Sequence, residues 1–157
     1  MNSGHRRRFL LDSGAVTALA RDPRLLADFT VVLDNRYDAA IRIPSPVMGE
    51  VRTDDPRYDV ALNRLLKRIA GPDGPYASLR DEAANRAGGL RHQALKALGE
   101  DRDRTRDGKL TIDAFVVAIA EEISRTCAVT ILTGDLEHIE LLVRLTGARN
   151  ISVRRAS

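Results

Sequence analysis

The chain has 157 residues, 43% of them hydrophobic and 30% charged, which supports one compact core and leaves no room for a second. Cys127 is the only cysteine, so an internal disulfide and a cysteine-based zinc site are excluded. No apolar run reaches the ~18 to 20 residues of a membrane helix, and no apolar signal core follows the basic Met1 to Arg8, so a soluble, cytoplasmic single domain over 1–157 is expected. The net charge is +3, and three of the 25 cationic residues are lysines (Lys67, Lys96, Lys109), leaving 22 arginines. That balance tolerates a polyanionic partner without requiring one, and 4% aromatics with no Trp favour phosphate contacts over base stacking.

In chain order, Phe9-Leu10-Leu11 is a short apolar run broken at Asp12-Ser13-Gly14, as a strand buried on both faces would be. Ala15, Val16, Leu19 and Ala20 continue at helical spacing. Asp22-Pro23 opens a second helix with a stripe of Leu25, Leu26, Phe29, Val32 and Leu33. Ala39 to Ile43 reads as a second strand stopped by Pro44-Ser45-Pro46. Tyr58, Leu62, Leu65, Leu66 and Ile69 mark a helix ending before Gly71-Pro72-Asp73-Gly74-Pro75. Tyr76 to Leu79 is a candidate third strand, after which Asp81 is expected to cap a helix with the face Ala83, Ala84, Ala87, Leu90, Ala94, Leu95 and Leu98, weakened by Gly88-Gly89. Asp101 to Lys109 alternates acid and base and reads as a solvated loop. Ile112, Phe115, Val116, Ile119, Ala120 and Ile123 then repeat at helical spacing. Ala128 to Leu132 is a strand, Asp135 to Thr146 a helix with Leu136, Ile139, Leu142 and Val143 inward, and Ile151 to Val153 a last short strand. Strands alternating with helices predict an α/β domain with a mostly parallel sheet.

In such a sheet, ligands bind beyond the carboxyl ends of the strands. Asp12 follows the first strand, Glu50 the second through the Pro44 to Gly49 loop, and Asp135 the Ala128 to Leu132 strand. Asp113 has Val116, Val117 and Ala120 as helical neighbours, so it starts on an apolar or interfacial face. Each acid has a local explanation: Asp12 and Asp135 as helix N-caps, Glu50 and Asp113 as first-turn carboxylates favoured by the helix dipole. Four at one end of a sheet would repel and raise one another's pKa unless a cation neutralised them. Mg²⁺ or Mn²⁺ fits an all-oxygen set and can activate water for attack on a phosphodiester. Spacing alone leaves caps and metal-dependent phosphoryl chemistry both open.

The segments Phe9-Leu10-Leu11-Asp12-Ser13-Gly14-Ala15, Ser45-Pro46-Val47-Met48-Gly49-Glu50, Ile112-Asp113-Ala114-Phe115-Val116-Val117-Ala118-Ile119-Ala120 and Ile131-Leu132-Thr133-Gly134-Asp135 resemble, in order and spacing, the successive motifs of a PIN domain, closest to the VapC-type toxins of toxin–antitoxin pairs. The resemblance implies a three-layer fold with a parallel sheet of order 3-2-1-4-5. It also implies a Mg²⁺- or Mn²⁺-dependent endoribonuclease that hydrolyses RNA with a metal-activated water, a cognate antitoxin, and homodimerisation. Asp12, Glu50, Asp113 and Asp135 would be the catalytic, metal-binding set, with Ser13 and Thr133 as supporting hydroxyls. The charged Asp101 to Lys109 segment departs from the commoner pattern and inherits no role.

The competing reading is a PIN-like RNA-binding or regulatory module that no longer cleaves; retention of all four acids speaks against it. A decoy runs from Asp103 to Ala114, where oxygen-bearing residues and Gly108 imitate a calcium loop, but Ala114 stands where a bidentate Glu is needed. His92 lies among polar residues. His138, one turn beyond Asp135, reads first as a packing or surface residue, with contact to a substrate phosphate or a neighbouring carboxylate as its functional alternative. Cys127 beside an apolar strand is expected to be a small core residue. There is no Walker loop, GxGxxG turn, HExxH or nucleophile–His signature.

Overall fold

The computed structural model describes residues 7–34, 39–71, 74–99 and 104–156, with the side chains of all of these except 32–34, 39 and 104–109. The elements run β1 (Arg7–Leu11), α1 (Ser13–Arg21), α2 (Pro23–Asp34), β2 (Ala39–Pro44), a 3₁₀ turn (Ser45–Val47), α3 (Met48–Val51), α4 (Pro56–Ile69), β3 (Tyr76–Ala77), α5 (Asp81–Leu98), α6 (Arg104–Ser124), β4 (Ala128–Thr133), α7 (Leu136–Thr146) and β5 (Ile151–Arg155). The five strands form a sheet of order β3-β2-β1-β4-β5, every pairing parallel.

Parallel pairing explains the strand sequences. Strands covered on both faces cannot alternate apolar with polar, so they read as continuous apolar runs. Leu10, Leu11, Ile43 and Ile131 are accordingly inaccessible to solvent. Helices α1, α2 and α4 pack together, as do α5, α6 and α7, giving two helical groups about the sheet. Phe9 of β1 meets Phe29 of α2 edge to face, ring centroids 5.5 Å apart. The α4 stripe Leu62, Leu65, Leu66 and Ile69 is buried, each side chain contributing about 1.5–3 kcal/mol when fully removed from water.

Several local expectations are corrected. Asp81 is the first helical residue of α5, and the N-cap, Arg80, makes no side-chain capping bond. Gly88 and Gly89 do not interrupt α5, which runs on to Leu98 because it packs along α6 and α7. Leu98 itself is exposed. The third strand stops at Ala77 rather than Leu79. Cys127 is half-buried at the mouth of β4 rather than in the core.

The largest difference is at the charged segment: residues 104–109 are helical, not loop, while 101–103 lie outside the described residues, as do His5, Arg6, Pro72 and Asp73. Once the buried face of α6 has nucleated a helix, each added residue gains one backbone bond. Gly108 opposes propagation most, by about 1 kcal/mol, with smaller contributions from Thr105 and Asp107. The buried face also begins earlier than Ile112: Leu110, Ala114, Val117 and Ala118 are buried, whereas Ile112 and Phe115 are only half so. A continuous helix over 104–114 removes the calcium-loop geometry.

Candidate metal centre

The strand order reverses at β1, which has β2 on one side and β4 on the other. The carboxyl ends of β1 and β4 therefore open a crevice at a topological switch point. Asp12 and Asp135 leave those two ends. Asp12 N–H donates to Leu132 O at 3.1 Å, carrying the β1–β4 ladder one step beyond the strand.

Asp12 is 4% exposed. Its Oδ1 caps α1 by accepting Ala15 N–H at 2.8 Å. Gly134 N–H points at both carboxylate oxygens, 3.2 and 3.3 Å away, and the Thr133 hydroxyl donates to Oδ2. Burial raises the Asp12 carboxyl above its ordinary value of 3.8, the Thr133, Ala15 and Gly134 hydrogen bonds oppose the rise, and the charge of Asp135 adds to it. Desolvation thus outweighs the donors, as for a carboxylate awaiting a counter-charge.

Thr133, fully buried, links the two acids. It donates to Asp12 and its oxygen accepts Asp135 N–H at 2.8 Å. Asp135 is the N-cap of α7, its Oδ1 accepting His138 N–H at 3.3 Å. Across the crevice, Asp113 sits well inside α6 rather than in its first turn, so the helix-dipole explanation does not hold for it. Its neighbours Val116, Val117 and Ala120 are inaccessible to solvent. One ligand atom each from Asp113, Asp135 and His138 lie within 4.8 Å of one another.

Glu50 sits in the first turn of the four-residue helix α3, as expected, and is exposed. It is tied to the site by the Ser13 hydroxyl, which donates to Oε2. The structure therefore gathers Asp113 and Asp135 directly, joins Asp12 to Asp135 through Thr133, and reaches Glu50 through Ser13. His138 enters the cluster from the i+3 position of the Asp135 cap, the same helical face one turn on, while His92 is exposed on α5. Gly14 and Gly134 meet closely, which no local pattern in the sequence states: a Cβ on Gly14 would lie 2.9 Å from Gly134 Cα. Their one legible signal is that each glycine adjoins a hydroxyl–acid pair.

These side chains suit a divalent cation. Carboxylates converge beside a buried carboxyl whose charge is disfavoured, and His138 Nδ1 is buried with no hydrogen-bond partner, although Asp135 Oδ2 is 2.9 Å away.

In sequence the chain matches no family description and is not significantly similar to any curated protein. Solved structures do resemble it. VapBC2 from Rickettsia felis bound to a promoter DNA fragment has a chain with TM-score 0.58 and 13% identity over 94% of this chain and 98% of that one. FitAcB from Neisseria gonorrhoeae gives 0.57 and 16% over 94% and 97%. VapBC-1 from nontypeable Haemophilus influenzae gives 0.56 and 12% over 95% and 98%. At such identities the likeness is one of fold, and the strand order and helical layers make this chain an α/β protein of the PIN-like fold seen in those structures.

Proposed function

We propose that the protein is a metal-dependent endoribonuclease, the toxin member of a toxin–antitoxin pair acting in the cytoplasm, with Mg²⁺ or Mn²⁺ held by Asp12, Glu50, Asp113 and Asp135. The observation that carries this reading is the meeting of Asp113 and Asp135 beside buried Asp12 at the sheet's switch point. Helix capping accounts for Asp12 and Asp135 separately. It does not account for a mid-helix carboxylate on α6 pointed at the same crevice.

A bound divalent ion would supply Lewis-acid stabilisation of the phosphodiester and a more acidic water. The chain's own groups set the geometry. Thr133 holds the Asp12 carboxylate against rotation while its oxygen takes the Asp135 amide. Ser13 orients Glu50 at the open side of the site, where an RNA strand would enter. Arginines would hold the strand by its phosphates, since aromatic side chains are scarce.

For the partner, the supporting feature is a cleft of about 600 Å³ between α1, α2 and α4, with Leu19, Leu26, Tyr58 and Leu65 inside and Arg21, Arg57, Arg64 and Arg68 among its lining. Its charge suits an acidic amphipathic segment, as an antitoxin would present. A homodimer is proposed from the family resemblance alone.

The test is incubation of total RNA with the full chain, with Mg²⁺, with Mn²⁺ and with chelator, beside Asp12→Asn. Cleavage that needs the metal and is lost in a folded Asp12→Asn protein is expected. Binding of RNA without cleavage by the parent in either metal would replace the nuclease with a non-cleaving RNA-binding module.

A further inference from the structure

Building on the metal centre just proposed, we infer that His138 supplies a nitrogen ligand through Nδ1 and so tilts the site from Mg²⁺ towards first-row transition ions such as Mn²⁺. The four carboxylates alone would make an all-oxygen site, the natural environment of Mg²⁺. A neutral imidazole changes that preference, because nitrogen donors suit transition ions while Mg²⁺ keeps to oxygen and gives up its waters reluctantly.

Three observations place the nitrogen there. Nδ1 is shielded from solvent and has no hydrogen-bond partner, in a side chain that is 14% exposed. It lies 2.9 Å from Asp135 Oδ2, the oxygen not accepting the His138 backbone N–H. Each carboxylate oxygen of Asp135 thus has its own task, Oδ1 at the helix cap and Oδ2 beside the ring. Nitrogen and oxygen at that separation are held together by a proton on the ring or by a shared cation, and a metal ion between them takes the place of that proton. The distance matches two adjacent ligands on an octahedral ion, whose bonds of ~2.1 Å give an edge of ~3.0 Å. Third, Asp113 joins them: one ligand atom each from Asp113, Asp135 and His138 lie within 4.8 Å of one another. Ligation through Nδ1 leaves the proton on Nε2.

The experiment compares the full chain with His138→Asn, His138→Asp and Asp113→Asn, each checked for folding by circular dichroism. Mn²⁺ and Mg²⁺ are titrated separately by calorimetry, and the Mn²⁺ forms are examined by pulsed electron paramagnetic resonance for ¹⁴N coupling. The parent should show histidine-type ¹⁴N coupling and bind Mn²⁺ more tightly than Mg²⁺. His138→Asn should lose the coupling and ~10-fold or more in Mn²⁺ affinity with Mg²⁺ affinity little changed. His138→Asp should bind both ions, without the coupling and with the preference for Mn²⁺ reduced. Mn²⁺ bound to the parent without ¹⁴N coupling, or equal losses for both ions in His138→Asn, overturns the assignment and leaves His138 a partner of the Asp135 cap. Binding abolished by Asp113→Asn but untouched by His138→Asn removes His138 while the carboxylate centre stands. Failure of the folded parent to bind either ion sinks both readings together.

Discussion

The meeting of Gly14 and Gly134 lends itself to a paired test in which one substitution should have opposite signs at two places. An alanine at Gly14 sets its Cβ 2.9 Å from Gly134 Cα and 3.1 Å from Gly134 N, whereas such contacts relax only at ~3.5–4.0 Å. Both obstructing atoms are backbone in the turn from β4 to α7, which is tied to Asp12 through Gly134 N–H. The turn and the start of α1 must therefore separate by about half an ångström or more. Overpacking of this kind costs ~1–3 kcal/mol, against a helix-propensity gain of at most ~1 kcal/mol at the second residue of α1. The net expectation for Gly14→Ala is a loss of about 1–2 kcal/mol. Gly88 lies inside α5 with nothing within 4 Å of a built Cβ, so Gly88→Ala should gain about 0.5–1 kcal/mol from propensity alone. Urea unfolding followed by circular dichroism measures both. A Gly14→Ala protein as stable as the parent would refute the close approach, and so the argument that glycine is needed to seat Asp12 beside Asp135.

Other outcomes follow from the same geometry. Mg²⁺ or Mn²⁺ should raise the melting temperature, a ligand at ~100 times its Kd adding ~2.7 kcal/mol if it binds only the folded chain; no rise at millimolar metal in an active preparation would count against the clustered site. Asp113→Asn and Asp135→Asn should each abolish RNA cleavage while keeping the fold, and parental cutting rates in both would remove the acids from the mechanism. Asp12→Asn should stabilise the metal-free protein at neutral pH. Burial raises the folded-state pKa of Asp12, so its contribution to stability is fully present below the unfolded value and is lost as pH rises through the folded one. The advantage of the Asn variant over the parent should therefore shrink on acidification towards the ordinary Asp pKa, and a constant difference across that range would contradict the sign. RNA affinity of the cleavage-dead Asp12→Asn protein, measured with metal, should fall with salt at a log–log slope of roughly −2 to −3.5 for three to five phosphate contacts; a flat dependence would make the arginines mere solvated surface.

Strand positions were legible because burial on both faces leaves nothing polar in Leu10-Leu11 or Ile131-Leu132 to confuse the pattern, and the sheet order followed from the family resemblance. The start of α6 was not legible. Its residues 104–109 alternate charge like a solvated loop, and helix there depends on propagation from a face that packs only in the folded molecule. The misplaced onset also hid Leu110 and Ala114 from the core. Asp81 suits a cap because Asp favours that position, yet the chain enters α5 one residue earlier, where Asp81 serves the helix dipole instead.

At the candidate site, sequence carries what lies along one chain segment and loses what two segments make together. Asp12 and Asp135 were readable as acids ending strands, and Ser13 and Thr133 as hydroxyls beside them. That one threonine hydroxyl would bridge both acids depends on the β1–β4 register, Leu11 beside Leu132, which no local pattern states. Asp113 shows the point most sharply. As a first-turn residue it would be favoured by the helix dipole; in the middle of α6 it is not, and its neighbours Val116, Val117 and Ala120 are buried and apolar. Close to it lie the carboxylate of Asp135 and the imidazole of His138 at the start of α7. Two carboxylates held that close repel each other, and a cation among them relieves the repulsion. If metal binding is lost in Asp113→Asn while the melting temperature of the metal-free protein rises, that repulsion is what the ion relieves.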